Sequence, residues 1–238
     1  MSLEKRMRIL SKTLPILLAF ACATPWHNEP VNSEVNLAFT LERNLVTFTT
    51  MKIDGRTGRF VLASAAPRTV IDPMFANPRR RHLVHFGNKE TLALPNAAPM
   101  ELGGVADALI GADVWSGRAI SIDYHAGLVS FQKLGIAPDA MKLYRYLAEP
   151  MIEVELNGRM INTIVDTTNP DTLVLPWPQK ARGNARVRIA GNDFGNVDIQ
   201  YANVSHARVG NRLLSHFLVT IDYGQRLVGL WRDPRNPA

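Results

Sequence analysis

The chain contains one cysteine, Cys22, in 238 residues. No internal disulfide can form, so folding does not depend on oxidation. It also lacks a long hydrophobic run. The apolar stretch Leu14-Pro15-Ile16-Leu17-Leu18-Ala19-Phe20-Ala21 falls well short of the roughly 20 residues that cross a bilayer. There is no Gly-rich phosphate loop and no Ser nucleophile elbow. His82 and His85 have a metal-like spacing, but an odd spacing on a strand sends two side chains to opposite faces. With no Cys, Asp or Glu at a supporting distance, neither a metal nor any other cofactor is expected.

Charge of one sign is scarce as well. The formal net charge is +6, and leaving out residues 1–21 reduces it to 23 basic against 20 acidic side chains. That excess is too small to indicate a nucleic-acid partner. The run Arg79-Arg80-Arg81 follows Asn77-Pro78 and is expected to be a solvated loop beginning in a turn. The tryptophans are dispersed. Trp115 and Trp231 sit in apolar contexts, as core or groove-edge residues rather than a stacking platform.

What is present begins with an export-type N-terminus. Lys5, Arg6, Arg8 and Lys12 precede the apolar run, which ends in Ala19-Phe20-Ala21-Cys22. Residues 1–21 have the order of a signal peptide. The ending resembles a bacterial lipobox, with Ala19 where Leu is usual, and this implies lipidation of Cys22 and a membrane anchor at the cell envelope. The same residues also offer an A-x-A site for ordinary cleavage and secretion, and an uncleaved anchor is the third option.

The most informative feature is an internal repeat. Lys52-Ile53-Asp54-Gly55 followed by Phe60 to Ile71 aligns without a gap on Glu155-Leu156-Asn157-Gly158 followed by Thr163 to Val174, at an offset of 103. Ala63 then meets Asp166, Pro67 meets Pro170, and Thr69 meets Thr172. A second block, Ile110-Gly111 through Ile120-Ser121-Ile122-Asp123-Tyr124, aligns on Val209-Gly210 through Val219-Thr220-Ile221-Asp222-Tyr223 at an offset of 99. Two blocks in the same order within each half imply duplication.

Both halves are predicted to be β-rich. Fifteen Pro and sixteen Gly, scattered along the chain, favour short strands joined by turns. Asp54-Gly55 and Asn157-Gly158 are hairpin signals. Val46 to Phe48, and Ile152, Val154 and Leu156, alternate with polar residues as half-buried strands do. Ser121 to Tyr124 and Thr220 to Tyr223, each followed by a short turn and an apolar pair, predict a further hairpin in each half. Helical turns are expected only near Asp113 to Ser116 and Asn211 to His216. The resulting organisation is a signal at 1–21, a linker and first strand at 22–44, lobe 1 at 45–137, an inter-lobe linker at 138–149, and lobe 2 at 150–238.

These blocks resemble the pepsin/retropepsin family of aspartic peptidases over roughly residues 45 to 231. In that family each lobe presents an Asp in a D-[ST]-G turn, and a hydrophobic-hydrophobic-Gly segment packs beneath it. Here Ile164-Val165-Asp166-Thr167-Thr168 matches the turn, Leu109-Ile110-Gly111 the segment beneath, and Gly210 to Tyr223 the closing segment. The resemblance implies two tandem retropepsin-like β-barrel lobes with few short helices. It assigns Asp166 a catalytic position, with Thr167 and Ser64 as the hydroxyls that tie the two turns together.

The family mechanism needs two facing carboxylates that share a proton, one acting as base on water and the other as acid on the carbonyl oxygen. Ala63 stands at the first-lobe position and has no titratable group. The Gly of the turn is replaced by Thr168 and Ala65, where a side chain is expected to crowd the turn. Arg208 replaces an apolar residue before Val209-Gly210. The expectation is a catalytically silent protein that holds an extended polypeptide in the inter-lobe groove or serves as an envelope scaffold. The alternative is a divergent endopeptidase using Asp166 alone or across a dimer. The oligomeric state is left open.

Overall fold

The computed structural model describes residues 35–87, 90–94, 96–115, 117–132, 141–179 and 181–233. The export segment and Cys22 lie outside the described residues. Strands dominate what is described, with two helices of four residues each.

In chain order the first half contains β1 (Val35–Glu42), β2 (Leu45–Phe48), β3 (Met51–Ile53), β4 (Phe60–Leu62), β5 (Val70–Ile71), β6 (His82–Phe86), β7 (Glu90–Leu94), β8 (Ala98–Pro99), β9 (Ala108–Ile110), α1 (Ala112–Trp115), β10 (Ala119–Asp123) and β11 (Leu128–Gln132). The second half contains β12 (Lys142–Arg145), β13 (Met151–Leu156), β14 (Arg159–Val165), β15 (Leu173–Pro176), β16 (Ala181–Ile189), β17 (Asn192–Ala202), β18 (Ala207–Val209), α2 (Asn211–Leu214), β19 (Leu218–Asp222) and β20 (Leu227–Trp231). Within the segment read as the inter-lobe linker, Lys142–Arg145 forms a strand against β20.

Local chemistry accounts for the turns. Asn157 and Gly158 both take positive φ, 48° and 81°, the geometry of a two-residue hairpin that Asn-Gly adopts most readily. It closes β13 on β14 with Leu156 opposite Arg159. Asp54-Gly55 also takes positive φ, 52° and 75°, but closes a single Ile53–Arg56 bridge. There β3 departs to pair with β6. A third turn of this kind, Arg43-Asn44 (φ 53° and 63°), joins β1 to β2 without a glycine.

The second half closes into a six-stranded barrel in the order β13-β14-β18-β15-β17-β16. In the first half β2-β4-β9-β5-β8 run side by side, and β3-β6-β7 form a separate three-stranded sheet. The parallel pairing of β4 with β9 (Leu62 opposite Ile110) recurs as β14 with β18 (Val165 opposite Val209). Each parallel pair brings a strand-ending turn next to the glycine that follows the second strand.

The halves share one continuous sheet. Its central order is β12-β20-β19-β10-β11-β1. The seam is the antiparallel pair β10 and β19, with Ser121 directly opposite Thr220. These residues are repeat counterparts, so a local two-fold relation passes through the pair. Their hydroxyls hydrogen-bond at 2.9 Å. Ile120, Ile122, Val219 and Ile221 beside them are fully buried, each contributing about 1.5–3 kcal/mol of apolar burial. In the first half, Trp115 is completely buried with Phe48 and Phe86 rings 6.1 and 6.0 Å away. It is a core residue.

Two predictions follow from this packing. A Cβ placed on Gly210 would run into the carbonyl oxygens of Asp171 and Asn169, as one on Gly111 would meet the Arg68 backbone at 2.5 Å. Gly210→Ala is therefore expected to lower stability by about 2 kcal/mol, read as a shifted urea midpoint with unchanged slope. On the β16–β17 hairpin, a hydrogen bond from Arg186 holds the Asp193 carboxyl down at about 2. A depressed folded value means that this tie is complete above the ordinary carboxylate range, near 3.9, and is lost as pH falls from there through about 2. Carboxyl NMR titration should show Asp193 changing charge near 2, and Arg186→Gln should return it towards the ordinary value.

Candidate functional site

The turns after β4 and β14 meet between the two halves and hold each other by four buried hydrogen bonds. The Ser64 amide donates to Thr167 Oγ1 at 3.0 Å, and the Thr167 hydroxyl donates to the Leu62 carbonyl at 2.6 Å. Reciprocally, the Thr167 amide donates to Ser64 Oγ at 3.0 Å, and the Ser64 hydroxyl donates to the Val165 carbonyl at 2.7 Å. Every bond has its counterpart at the repeat offset. Ser64 and Thr167 are 1% and 0% exposed, so each bond is worth about 1 kcal/mol net, and leaving a partner unpaired costs about 1–3 kcal/mol.

The surroundings of the turns repeat too. The Ala63 amide donates to Ile110 O and the Asp166 amide to Val209 O. The Ala66 and Asn169 amides donate back to the Ala63 and Asp166 carbonyls. Gly111 and Gly210 let the strands beneath approach the turns closely enough for these bonds. Two equivalent positions, Ala63 and Asp166, are thus presented by equivalent backbone.

Their side chains differ completely. Ala63 is fully buried and offers a methyl group. Asp166 is 4% exposed and its carboxylate is occupied on both oxygens. Oδ1 accepts the Thr168 amide at 2.9 Å and the Thr168 hydroxyl at 2.5 Å. Oδ2 accepts Arg208 Nη1 at 2.7 Å. Thr168 does not crowd the turn. Its φ stays out of the positive region and its hydroxyl folds back onto the carboxylate. Burying an ionised carboxylate is costly unless it is paired and hydrogen-bonded, and Arg208 and Thr168 together meet that requirement.

Around this centre lie polar ties that the sequence pattern did not single out. Asn211, at the start of α2 and 2% exposed, donates from Nδ2 to the carbonyls of Asn44 (2.5 Å) and Thr167 (2.8 Å), and accepts from the Tyr124 hydroxyl at 2.8 Å. The Tyr223 hydroxyl donates to Ser64 O at 3.0 Å. Tyr124 and Tyr223 are repeat counterparts, and each reaches into the opposite half. Burial pushes both phenols well above their ordinary range, which keeps them donors at any ordinary pH. An Asn aligned with Ala112 of the first repeat was the available signal for Asn211.

The remaining candidates stand apart. His82 is buried, with Nδ1 2.7 Å from Asp54 Oδ2 and Nε2 2.9 Å from the Asn77 carbonyl. His85 instead contacts Thr91 Oγ1, so the two rings take separate partners. Arg79, Arg80 and Arg81 are exposed in the turn after Asn77. No cluster of three or more His, Cys, Asp or Glu side chains able to hold a metal occurs among the described residues.

Compared with family models and with curated proteins, the chain matches none. The reading of the site rests on its geometry.

That geometry predicts a coupled pair of substitutions. Arg208→Leu, which copies Leu109 of the first repeat, leaves Asp166 buried and uncompensated and should cost about 3–5 kcal/mol. Arg208→Leu combined with Asp166→Ala removes both charges and should cost much less than the single change. Chemical denaturation of the two single variants and the double variant measures the coupling.

Proposed function

We propose that this protein is a catalytically silent member of the pepsin/retropepsin-like group, with two lobes whose groove holds an extended polypeptide. The observation that carries this reading is the pair of equivalent, reciprocally bonded turns bearing Ala63 on one side and a fully engaged Asp166 on the other. A peptidase of this type needs two acids exchanging one proton over a water. Here one acid is absent, and the other spends its lone pairs on Thr168 and Arg208. Losing one member of a cooperating set removes most of the rate, so Asp166 acts as a structural anion.

Retention of the frame supports a binding role. Ser64, Thr167, Gly111 and Gly210 keep the two turns in register, although no reaction remains that requires it. An extended chain lying in the groove gains affinity from main-chain hydrogen bonds and specificity from alternate side chains. In the same reading the lobes are exported and held at the bacterial cell envelope by lipid on Cys22, facing polypeptides outside the cytoplasm.

The test uses a fluorescent pool of random decapeptides and the intact protein. Binding without cleavage from pH 3 to 8 is the expected result, together with loss of binding in Ala65→Trp, where the added ring fills the half-buried turn surface. Hydrolysis that disappears in Asp166→Asn would overturn the proposal in favour of the divergent endopeptidase.

A further inference from the structure

The two halves of the site differ in more than Ala63 and Asp166, and strand register shows how. Residues paired across adjacent strands project to the same side of a sheet. In the second half one row crosses the barrel as Val165, Val209, Leu173 and Ile199, all at most 2% exposed. This row fills the core. The neighbouring row is Ile164, Arg208, Val174, Gln200 and Arg182. It lies on the other side of the same strands and becomes progressively more open, from buried Ile164 to exposed Arg182. It starts at the site itself, because Arg208 bonds Asp166.

The first-half row through Leu109, the repeat counterpart of Arg208, runs Val61, Leu109, Val70 and Ala98. Every member is apolar, with Val61 and Val70 buried and Leu109 and Ala98 half-buried. What this row exposes beside the paired turns is therefore aliphatic, whereas the second-half row carries two guanidinium groups and an amide. Gln200 is committed, donating to Asp171 Oδ2 at 2.5 Å. Arg208 is only partly committed. Its Nη1 goes to Asp166 and its Nε is buried with no partner among the described residues, yet its side chain stays 28% exposed against 5% for Asp166. The carboxylate is covered, and of the pair it is the Arg208 side chain that stays accessible. A guanidinium has five N–H donors and no acceptor, and a carboxylate is the group its planar fork matches best.

We infer that the groove selects polypeptide segments carrying a carboxylate, which Arg208 binds while aliphatic neighbours of that residue lie against the half-buried Leu109 and Ala98. This inference rests on the groove-binding reading above and adds its specificity. Arg208 acts as the recognition residue, Asp166 as the buried counter-charge that positions it, and Arg182 as a second cation further along the same row. An acidic side chain and a free C-terminus supply the same chemistry, and the experiment separates them.

The probes are four N-acetylated fluorescent peptides of one aliphatic sequence. Three have amidated ends and carry Glu, Gln or Lys at the centre, and the fourth is the Gln peptide with a free terminal carboxylate. Anisotropy titration at low salt should show the Glu peptide, the free-carboxylate peptide, or both binding about tenfold more tightly than the amidated Gln peptide, with the Lys peptide weakest. Whichever gains identifies the source of the carboxylate. Because Arg208→Leu alone is expected to destabilise the fold, the decisive variant is Arg208→Leu with Asp166→Ala, which gives the second half the chemistry of the first. It should lose the preference for a carboxylate, binding the Glu and free-carboxylate peptides no more tightly than the amidated Gln peptide. Equal binding of all four peptides by the wild type, or a preference that survives in the double variant, overturns this inference and leaves groove binding intact. Failure of all four to bind overturns both.

Discussion

The molecule is organised by four hydrogen bonds that Ser64 and Thr167 exchange across the junction of its halves. Each residue uses its amide as donor, its hydroxyl oxygen as acceptor and its hydroxyl proton as donor, so neither turn is satisfied without the other. The strands beneath, the two close-approach glycines and the reciprocal tyrosines are arranged so that the turns can reach this position. A change at either residue leaves unpaired polar groups on both sides at once. The requirement is therefore felt symmetrically, although the side chains one position earlier are free to diverge.

The two positions differ in opposite ways. In the first half it is a methyl group among aliphatic neighbours. In the second half it is an acid with Thr168 and Arg208 closed around it. A buried carboxylate needs donors, and a threonine hydroxyl with a guanidinium from the neighbouring strand is one economical set. The outcome is a site with a common backbone plan and two unlike walls.

Much of this was legible in the residues. The duplicated blocks, the Asn-Gly turn and the alternating strands gave the β character and the pairing of Ala63 with Asp166, because those signals are local or recur at a fixed offset. The substitution at Arg208 was visible as a departure from its counterpart Leu109, but its bond to Asp166 was not. That bond depends on the parallel pairing of β14 with β18, between residues 42 apart in sequence. The Arg43-Asn44 turn carries no such signal because it lacks glycine. β12 carries none because Lys142–Arg145 follows no repeated block. Asp54-Gly55 signals a hairpin and does form the turn, but tertiary pairing takes β3 away to β6 and leaves a single bridge in place of the hairpin.

The seam between β10 and β19 has a mechanical consequence. Two bodies joined by a flexible tether can swing apart, but these are stitched by five directly opposed residue pairs within an uninterrupted ribbon of main chain. Prising the bodies open would unzip that ribbon and expose its isoleucines to water. Relative motion of the two halves is therefore limited to small displacements of peripheral loops around a rigid spine.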